Sequence, residues 1–450
     1  MTQATRGLEL TGAGFALADA AAVVAAEPAC AWFERDSVLT GPAARARARL
    51  APLFASTRYL EEPGTEPLAR QRPIVRNTAD LVYAQLAALA RLPVLAGQPV
   101  VLAVSSGYSL EQLRLLVGIA TAAELTVTGL VNAAVAAAAD RPSLPRALHL
   151  DLEMHRAVLT ELIRADGLRR GRVDLARAVG LRAIEDALAQ HVAQSFVRAT
   201  RFDPLHQAVT EQALYDRLPD WLAAAAGGGT VAVLEHGGLR HETRLEAAHL
   251  SAALAPLTAE ILRLVHSARR AGEALTLYLT ERVSTVPGLL AALGTLHGVA
   301  LVGLPSAAAA AGALAHAAEI EGPELAFVSR LAAAAAATAV SASSERRTVG
   351  EAPTHVVCQG RVWALGSEPL VVGRMPGGPR AIAVSGSLAG VSRTHCVLIA
   401  GGGDAVLEDL SSYGTFVNGE RVERRARLAV GDRIRVGTPG VELELVRIAG

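Results

Sequence analysis

The stretch that decides the fold of the C-terminal region is residues 391–419, VSRTHCVLIAGGGDAVLEDLSSYGTFVNG. Its apolar runs are short and alternate with clusters of Gly, Ser and Asn, which is typical of short strands joined by tight turns. Asn418 and Gly419 have the composition of a two-residue hairpin turn. The same texture continues towards the end of the chain and predicts an all-β sandwich.

Two further motifs flank this stretch. LVVGR occupies residues 370–374, and VGDRIRVG occupies residues 430–437. In order and spacing, the motifs closely resemble the forkhead-associated (FHA) domain, and the resemblance covers residues 354–449. It implies a β-sandwich whose loops bind phosphothreonine peptides. The implied partner is therefore a threonine-phosphorylated protein in a serine/threonine kinase pathway.

The chemistry of the motif residues fits a phosphate ligand. A phosphate dianion in a shallow loop site is best held by a guanidinium together with short hydroxyls and backbone donors. Arg374 would supply the guanidinium, and Ser392 and Ser412 the hydroxyls. The FHA resemblance implies that Arg374 and Ser392 contact the phosphate. It places Arg393 and Ser412 at further peptide and phosphate contacts.

The resemblance makes Tyr413 a further phosphopeptide-binding position, and gives the remaining motif positions a structural role. Tyr413 stands where many FHA domains carry an asparagine that holds the peptide backbone, so the peptide preference stays open. We expect His395 to bond to the backbone behind the loop, and Gly373 and Gly414 to serve backbone geometry. The alternative to phosphate binding is that Arg374 is an ordinary solvated surface arginine. The region contains no acid, base or nucleophile constellation, so it is predicted to bind rather than catalyse.

The sequence changes character near residue 341. Before it, strands and helices mix and alanine dominates, whereas short strands follow it. We predict a multidomain chain with an α/β domain at residues 1–340, a linker at 341–353 and the FHA sandwich at 354–450. In the linker, Thr348 follows two arginines, a pattern that basic-directed kinases prefer. Two interpretations of Thr348 stay open: a phosphorylation site, or an ordinary solvated threonine in the linker.

The N-terminal domain resembles the actin, sugar-kinase and heat-shock chaperone superfamily. Residues 100–139, VVLAVSSGYSLEQLRLLVGIATAAELTVTGLVNAAVAAAA, follow the chaperone pattern of strand, helix, strand and helix. Residues 7–14 and 150–156 lie where the two phosphate loops would be, and residues 277–288 match the adenosine motif. The resemblance implies an actin-like, two-lobed ATPase fold.

The residues that ATP chemistry needs are missing from these motifs. Glycines let backbone N–H groups approach phosphates, but the second loop has Glu153, Met154 and His155 at those positions. The glycine pair of the adenosine motif is replaced by Glu281 and Arg282. The chaperone's catalytic glutamate falls at Ala133. The chain contains no lysine, which excludes a Walker A loop and a protein kinase.

Three readings of this domain follow. Glu9 and Asp151 remain as candidate magnesium-side carboxylates and Thr11 as a candidate hydroxyl, which is too few for an ATPase. The first reading is a pseudo-ATPase without a cofactor that serves as a scaffold. The alternative is an active, ATP- and Mg²⁺-binding ATPase regulated by phosphopeptide, in which arginines such as Arg156 or Arg282 replace lysine. The third is self-association of actin-like domains end to end.

Composition limits the remaining functions. The 450 residues include 43 basic and 43 acidic side chains, which argues against nucleic-acid binding. The apolar stretches are too short or too interrupted for membrane insertion. Three widely spaced cysteines without a CxxC pair are typical of a reducing compartment. The interpretation that joins these features is a bacterial, cytoplasmic signalling adaptor that is not an enzyme.

Three local predictions can be compared directly with the structure. Apolar periodicity predicts helices at residues 175–197 and 246–270. Pro287 and Gly288 are expected to open another helix, with proline at its first position.

Overall fold

The computed structural model describes residues 5–332 and 353–447, apart from residues 96, 142, 270–272, 297, 323, 359–360, 385–389, 402–403, 419, 431 and 438–440. The chain divides into two compact units, Met1–Leu264 with Leu275–Thr338, and Val265–Ala274 with Ala339–Gly450. Thr348 and Gly419 lie outside the described residues. The domain boundaries at residues 340 and 354 stay predictions.

The described elements of the first unit mix strands and helices. The strands, in chain order, are β1 (Arg6–Thr11), β2 (Gly14–Ala18), β3 (Val23–Pro28), β4 (Ala31–Phe33), β5 (Val38–Thr40), β6 (Ala55–Ser56), β7 (Pro67–Arg72), β8 (Val75–Asn77), β9 (Val100–Val104), β10 (Val127–Asn132), β11 (Arg146–Leu152), β12 (Ala157–Arg164), β13 (Leu168–Ala176), β14 (Thr230–His236), β15 (Leu239–Leu245), β16 (Leu275–Leu279), β17 (Val299–Gly303), β18 (Phe327–Val328) and β19 (Arg330–Leu331). The helices are α1 (Gly41–Arg45), α2 (Thr78–Ala90), α3 (Leu110–Ala122), α4 (Ala133–Ala138), α5 (Leu181–Thr200), α6 (Ala208–Ala225), α7 (Ala247–Ala253), α8 (Ala255–Ala268), whose last residues belong to the second unit, α9 (Glu281–Ser284), α10 (Leu289–Gly294), α11 (Ala308–Ala315) and α12 (Ala317–Ile320).

Two six-stranded sheets among the described residues form the centre of this unit. Their strand orders are β18-β10-β9-β1-β2-β3 and β17-β16-β11-β12-β13-β19. In both, the central strand (β1 or β11) pairs antiparallel with the strand that follows it in the chain and parallel with a later one. Five-strand arrangements of the same order and direction therefore occur twice, once in each sheet.

Alanine allows the helices to approach the sheets and each other closely. A Cβ atom on Gly312 of α11 would lie 1.9 Å from the carbonyl oxygen of Ala136 in α4. A Cβ on Gly7 of β1 would lie 2.0 Å from the carbonyl oxygen of Ala310. Small side chains are thus required here because backbone packs directly against backbone.

The second unit has an all-β core. Its described strands are β20 (His355–Cys358), β21 (Arg361–Ala364), β22 (Leu370–Gly373), β23 (Ala381–Ala383), β24 (Cys396–Gly401), β25 (Asp404–Asp409), β26 (Thr415–Val417), β27 (Glu420–Arg421), β28 (Arg425–Leu428), β29 (Arg433–Val436) and β30 (Val441–Val446). They form the sheets β21-β20-β30-β29-β26-β27 and β23-β22-β24-β25-β28. Buried side chains of both sheets share one core, as in a β-sandwich.

Three sequence-based expectations about helices are wrong in detail. Residues 175 and 176 belong to β13, where they pair with β12, and α5 begins only at Leu181. The segment 246–270 forms two helices because Pro256 cannot donate to the preceding turn. Helix α10 begins at Leu289 after Gly288, whose φ of +76° is left-handed, so Pro287 is not its first residue.

The length and hydropathy of the helices show whether any of them could span a membrane. Among the described residues, no single helix is both long enough and apolar enough to cross a membrane. The pair α7 and α8, which bends by 65°, passes the same test by length and composition only.

Candidate functional site

Hydrogen bonds from backbone N–H groups bring three loops of the sandwich together. The loops follow β22, precede β24 and join β25 to β26. The N–H of Arg374 donates to the carbonyl oxygen of Ser392 at 3.1 Å. The N–H of Ser412 donates to Oγ of Ser392 at 3.3 Å. Ser392 therefore joins the loop of Arg374 to the loop of Ser412, and Arg393 follows it directly.

The crossing of the first two loops depends on glycine. A Cβ atom at Gly373 would lie 2.1 Å from the carbonyl oxygen of Arg393. No side chain fits at that distance, so the close approach of the two loops requires the missing Cβ. Gly373 thus acts on the site through backbone geometry.

His395 holds two of the loops from behind. Its side chain is buried, and Nδ1 accepts a hydrogen bond from the N–H of Ser392 at 3.1 Å. Nε2 lies 3.2 Å from the carbonyl oxygen of Gly414, to which it donates. Burial lowers the pKa of His395, so the ring is neutral and carries its proton on Nε2. The imidazole therefore sets the spacing of loops that carry Ser392 and Ser412.

The loop of Ser412 is shaped by residues that sequence reasoning did not single out. Oδ1 of Asp409 accepts hydrogen bonds from the N–H of Ser411 at 3.0 Å and from Oγ1 of Thr415 at 2.6 Å. Oγ of Ser411 accepts from the N–H of Gly414, whose φ is +92°. The spacing Asp-x-Ser is that of an Asx turn and was the available signal. Both Ser412 and Tyr413 are exposed on this loop.

Asn418 stabilises a neighbouring turn rather than the phosphate loops. Its φ is +53°, and its Oδ1 accepts from the N–H of Arg433 at 2.9 Å. Its Nδ2 donates to Oδ1 of Asp432 at 2.8 Å. Asparagine tolerates the left-handed conformation better than most residues. The side chain thus ties the turn after β26 to the start of β29.

The loops that carry Arg374, Ser392 and Ser412 form a loop cluster, and its electrostatics favour an anion. The guanidinium of Arg374 is exposed, and no ion pair among the described residues involves it. Ser392 is half-buried, while Arg393 and Ser412 are exposed. An exposed guanidinium without an ion pair among the described residues, on a loop bonded to Ser392, is suited to charge-assisted, planar recognition of an oxyanion.

Sheets and loops together define the class of this unit, a β-sandwich with three loops held together at one edge. Residues 370–437 match the family model of the FHA domain, which confirms the C-terminal resemblance found in the sequence. A search of curated proteins finds no match to the chain.

His395 provides a prediction for the loop cluster. We expect His395→Ala to lower the free energy of unfolding of the second unit by about 2–3 kcal/mol, because it removes two hydrogen bonds of a buried side chain and leaves a void. Thermal unfolding of the full chain followed by near-UV circular dichroism measures this loss. A variant as stable as the wild type would show that the two loops do not depend on the imidazole.

A second cluster of predicted residues lies in the first unit. Nη2 of Arg282 donates to Oε1 of Glu9 and to Oδ2 of Asp151, both at 2.9 Å. Nε of Arg282 and Oγ1 of Thr280 donate to Oδ1 of Asp151 at 3.0 and 2.8 Å. Glu9 lies on β1 and Asp151 on β11, so the guanidinium links the two large sheets.

One guanidinium in this triad is shared by two carboxylates. Burial raises the pKa of Asp151, but Arg282 outweighs that effect and holds the pKa below its ordinary value. Burial also lowers the pKa of Arg282, but Asp151 and Glu9 outweigh it and raise the pKa. Asp151 and Arg282 therefore stabilise each other's charged form. The guanidinium occupies the position between the two carboxylates that were predicted to face magnesium.

The predicted phosphate loops are filled by side chains and meet each other. The N–H of Met154 donates to the carbonyl oxygen of Gly12 at 3.4 Å. A Cβ on Gly12 would lie 2.2 Å from Cγ of Glu61 and 2.7 Å from Oε2 of Glu153. Glu153 also pairs with Nε of Arg156 at 2.5 Å and accepts a hydrogen bond from Ser105.

Thr11 lies inside the turn between β1 and β2. Its side chain is buried, and Oγ1 accepts from the N–H of Ala13 at 3.3 Å. It therefore stabilises the turn that joins the two strands. The neighbouring cavity of about 260 Å³ is lined by Glu9, His149, Asp151 and Arg282 among others. Among the described residues, no group of three or more His, Cys, Asp or Glu side chains is placed to hold a metal ion.

Glu61 makes the stability of this cluster depend on pH. Its burial raises the pKa of the carboxyl from 4.5 to about 7. A folded pKa above the unfolded one favours the protonated native state, so stability falls as pH rises from about 4.5 to about 7. The carboxylate accepts from the N–H of His155 at 2.6 Å, which glutamine can preserve.

We therefore expect Glu61→Gln to gain stability over the wild type as pH rises, by up to about 3 kcal/mol at pH 8. Urea unfolding of both proteins between pH 5 and pH 8 measures this difference. The variant is needed as a reference because His149 and His155 also make stability depend on pH. Their pKa values are lowered to about 4, so they increase stability as pH rises, whereas Glu61 decreases it. A difference that stays constant with pH would contradict the raised pKa of Glu61.

Proposed function

We propose that this protein is a signalling adaptor whose FHA domain binds threonine-phosphorylated partners of a serine/threonine kinase pathway. The observation that supports the proposal is that Ser392 joins the loops of Arg374 and Ser412 by hydrogen bonds, while the exposed Arg374 has no ion pair among the described residues. Arg374 would bind the phosphate through its planar guanidinium, and the two serines through their hydroxyls. Phosphorylation adds charge and acceptor oxygens, so it switches the interaction on.

We further propose that the first unit is an actin-like pseudo-ATPase that serves as a scaffold. Two observations support it. The same five-strand order occurs in both large sheets, as expected for a duplicated two-lobed fold. The space between Glu9 and Asp151 holds the guanidinium of Arg282, and Glu153 lies beside Gly12 in the predicted phosphate loops. A bound magnesium nucleotide would have to displace charged groups that already pair with each other.

The active ATPase is the second candidate function, with Arg156 or Arg282 in place of lysine. Against it, Arg156 pairs with Glu153, and Arg282 pairs with Glu9 and Asp151. Arg282 is not available for phosphate without leaving the buried Glu9 and Asp151 unpaired, which costs several kcal/mol. Nη2 of Arg156 has no hydrogen-bond partner among the described residues, but it is buried. We therefore favour a protein that is not an enzyme and has no nucleotide cofactor.

We expect no heat of binding when magnesium-ATP is titrated into the full chain by calorimetry, even at millimolar nucleotide. Asp151→Asn is the matched control, because it removes a predicted magnesium-side carboxylate with little change in shape. Saturable heat in the wild type that is absent in Asp151→Asn would overturn the pseudo-ATPase proposal and favour the active ATPase.

A further inference from the structure

The most exposed large apolar side chains lie next to the proposed phosphate contacts. Among the described residues, Met375 and Tyr413 have the highest exposures of this class, 72 % and 68 %. Met375 directly follows Arg374, and Tyr413 directly follows Ser412. Leu410, in the same loop as Tyr413, is 51 % exposed. These three side chains are therefore the apolar rim of the loop cluster.

The backbone keeps the rim at the phosphate site. The N–H of Met375 donates to the carbonyl oxygen of Arg393 at 3.1 Å, next to the bond between Arg374 and Ser392. The loop of Tyr413 is fixed to Ser392 through the N–H of Ser412. Both apolar residues thus extend from loops that Ser392 and Arg393 hold together.

The exposure of the rim has no explanation within the sandwich. Met375 and Tyr413 leave most of their apolar surface in water, where polar residues would serve solubility equally well. Methionine and tyrosine are enriched at binding surfaces, since methionine adapts its shape and tyrosine offers a large, rigid contact area. An apolar rim beside a phosphate site therefore fits a ligand that is apolar next to its phosphate.

We propose that Met375 and Tyr413 bind a large apolar side chain close to the phosphothreonine of the partner. This inference rests on the proposed phosphothreonine binding. An extended peptide advances about 3.3 Å per residue, so side chains adjacent to the phosphate contacts reach the few peptide positions on either side of the phosphothreonine. At Tyr413, apolar contact takes the place of the backbone clamp that asparagine provides in many FHA domains. The partner motif is a phosphothreonine flanked by Leu, Ile, Met or Phe.

The test measures binding of the full chain to immobilised peptides with a central phosphothreonine in an alanine background. Each flanking position is replaced in turn by leucine or by glutamate, and an unphosphorylated set is included. We expect leucine at one or two positions to strengthen binding about tenfold, or about 1.4 kcal/mol. Met375→Ala and Tyr413→Ala should lose this preference for leucine over alanine. Val362→Ala, which removes an exposed apolar side chain from β21, should keep it.

Two results would overturn the inference. One is equal binding of leucine and alanine peptides, and the other is a preference for glutamate, which would point to the exposed Arg393. Either can occur while binding still requires the phosphate, so the proposed function would stand. A leucine preference that is lost in Met375→Ala but is the same in both peptide sets would support the rim and contradict phosphothreonine binding instead.

Discussion

Arg374→Ala is expected to weaken binding of the full chain to phosphothreonine peptides about 100-fold, or about 2.8 kcal/mol. Charge-assisted hydrogen bonds from a guanidinium to a phosphate are the strongest contacts that the loop cluster can offer. The exposed side chain makes no ion pair among the described residues, so its removal leaves the fold unchanged. Arg374→Lys should bind with intermediate affinity, because it keeps the charge but loses the planar fork.

Fluorescence anisotropy with a labelled pool of degenerate peptides around a fixed phosphothreonine measures this loss. Arg361→Ala is the matched control, since Arg361 is an exposed arginine on β21 of the same unit. We expect its affinity to equal that of the wild type. If Arg374→Ala binds as tightly as Arg361→Ala, then Arg374 is a solvated surface arginine and the site lies elsewhere.

Arg282→Ala is expected to lower the free energy of unfolding of the first unit by about 3–5 kcal/mol. The substitution leaves Glu9 and Asp151, whose side chains are 8 % and 9 % exposed, without their shared cation. Adding Glu9→Gln to Arg282→Ala should recover part of the loss, because one of the two unpaired charges is then removed. Urea unfolding followed by far-UV circular dichroism measures both variants.

The loss should also depend on pH in a defined sense. Arg282 lowers the pKa of Asp151, so the pair stabilises the fold above the ordinary pKa of 3.8 and loses this contribution as pH falls. The difference between wild type and Arg282→Ala should therefore shrink below about pH 4. Arg240→Ala, which breaks an exposed ion pair with Glu242, should change stability by less than about 1 kcal/mol at any pH. Equal losses in both variants would mean that Arg282 does not hold the triad together.

Local patterns in the sequence predicted the features that depend on neighbouring residues, such as turns, strand ends and single strands and helices. The FHA motifs were identified because turns and strand ends carry Gly373, Gly414 and Asn418 at fixed spacing, and two of these three have positive φ. The strand, helix, strand and helix expected at residues 100–139 are β9, α3, β10 and α4. The helix expected at residues 175–197 was wrong at its start because pairing with β12 outweighs local helix preference.

The sequence could not reveal contacts between distant residues. Arg282 and Glu9 are 273 positions apart and meet only because two sheets bring β1 and β11 together. The sequence therefore showed that glycines are missing from the predicted phosphate loops. It did not show that the guanidinium of Arg282 lies between the carboxylates of Glu9 and Asp151. Asp409 was missed for a different reason. Its role depends on a turn geometry that its neighbours Ser411 and Thr415 complete, and no charge pattern marks it.

Dependence of binding on phosphothreonine is tested most directly by capture of the full chain on three degenerate peptide libraries, which differ only at a fixed central residue. The residue is phosphothreonine, phosphoserine or threonine. We predict binding to the phosphothreonine library, none to the threonine library, and loss of binding in Arg374→Ala. Equal binding to the threonine and phosphothreonine libraries, or binding that survives Arg374→Ala, would contradict the account of this protein as a phosphothreonine-dependent adaptor.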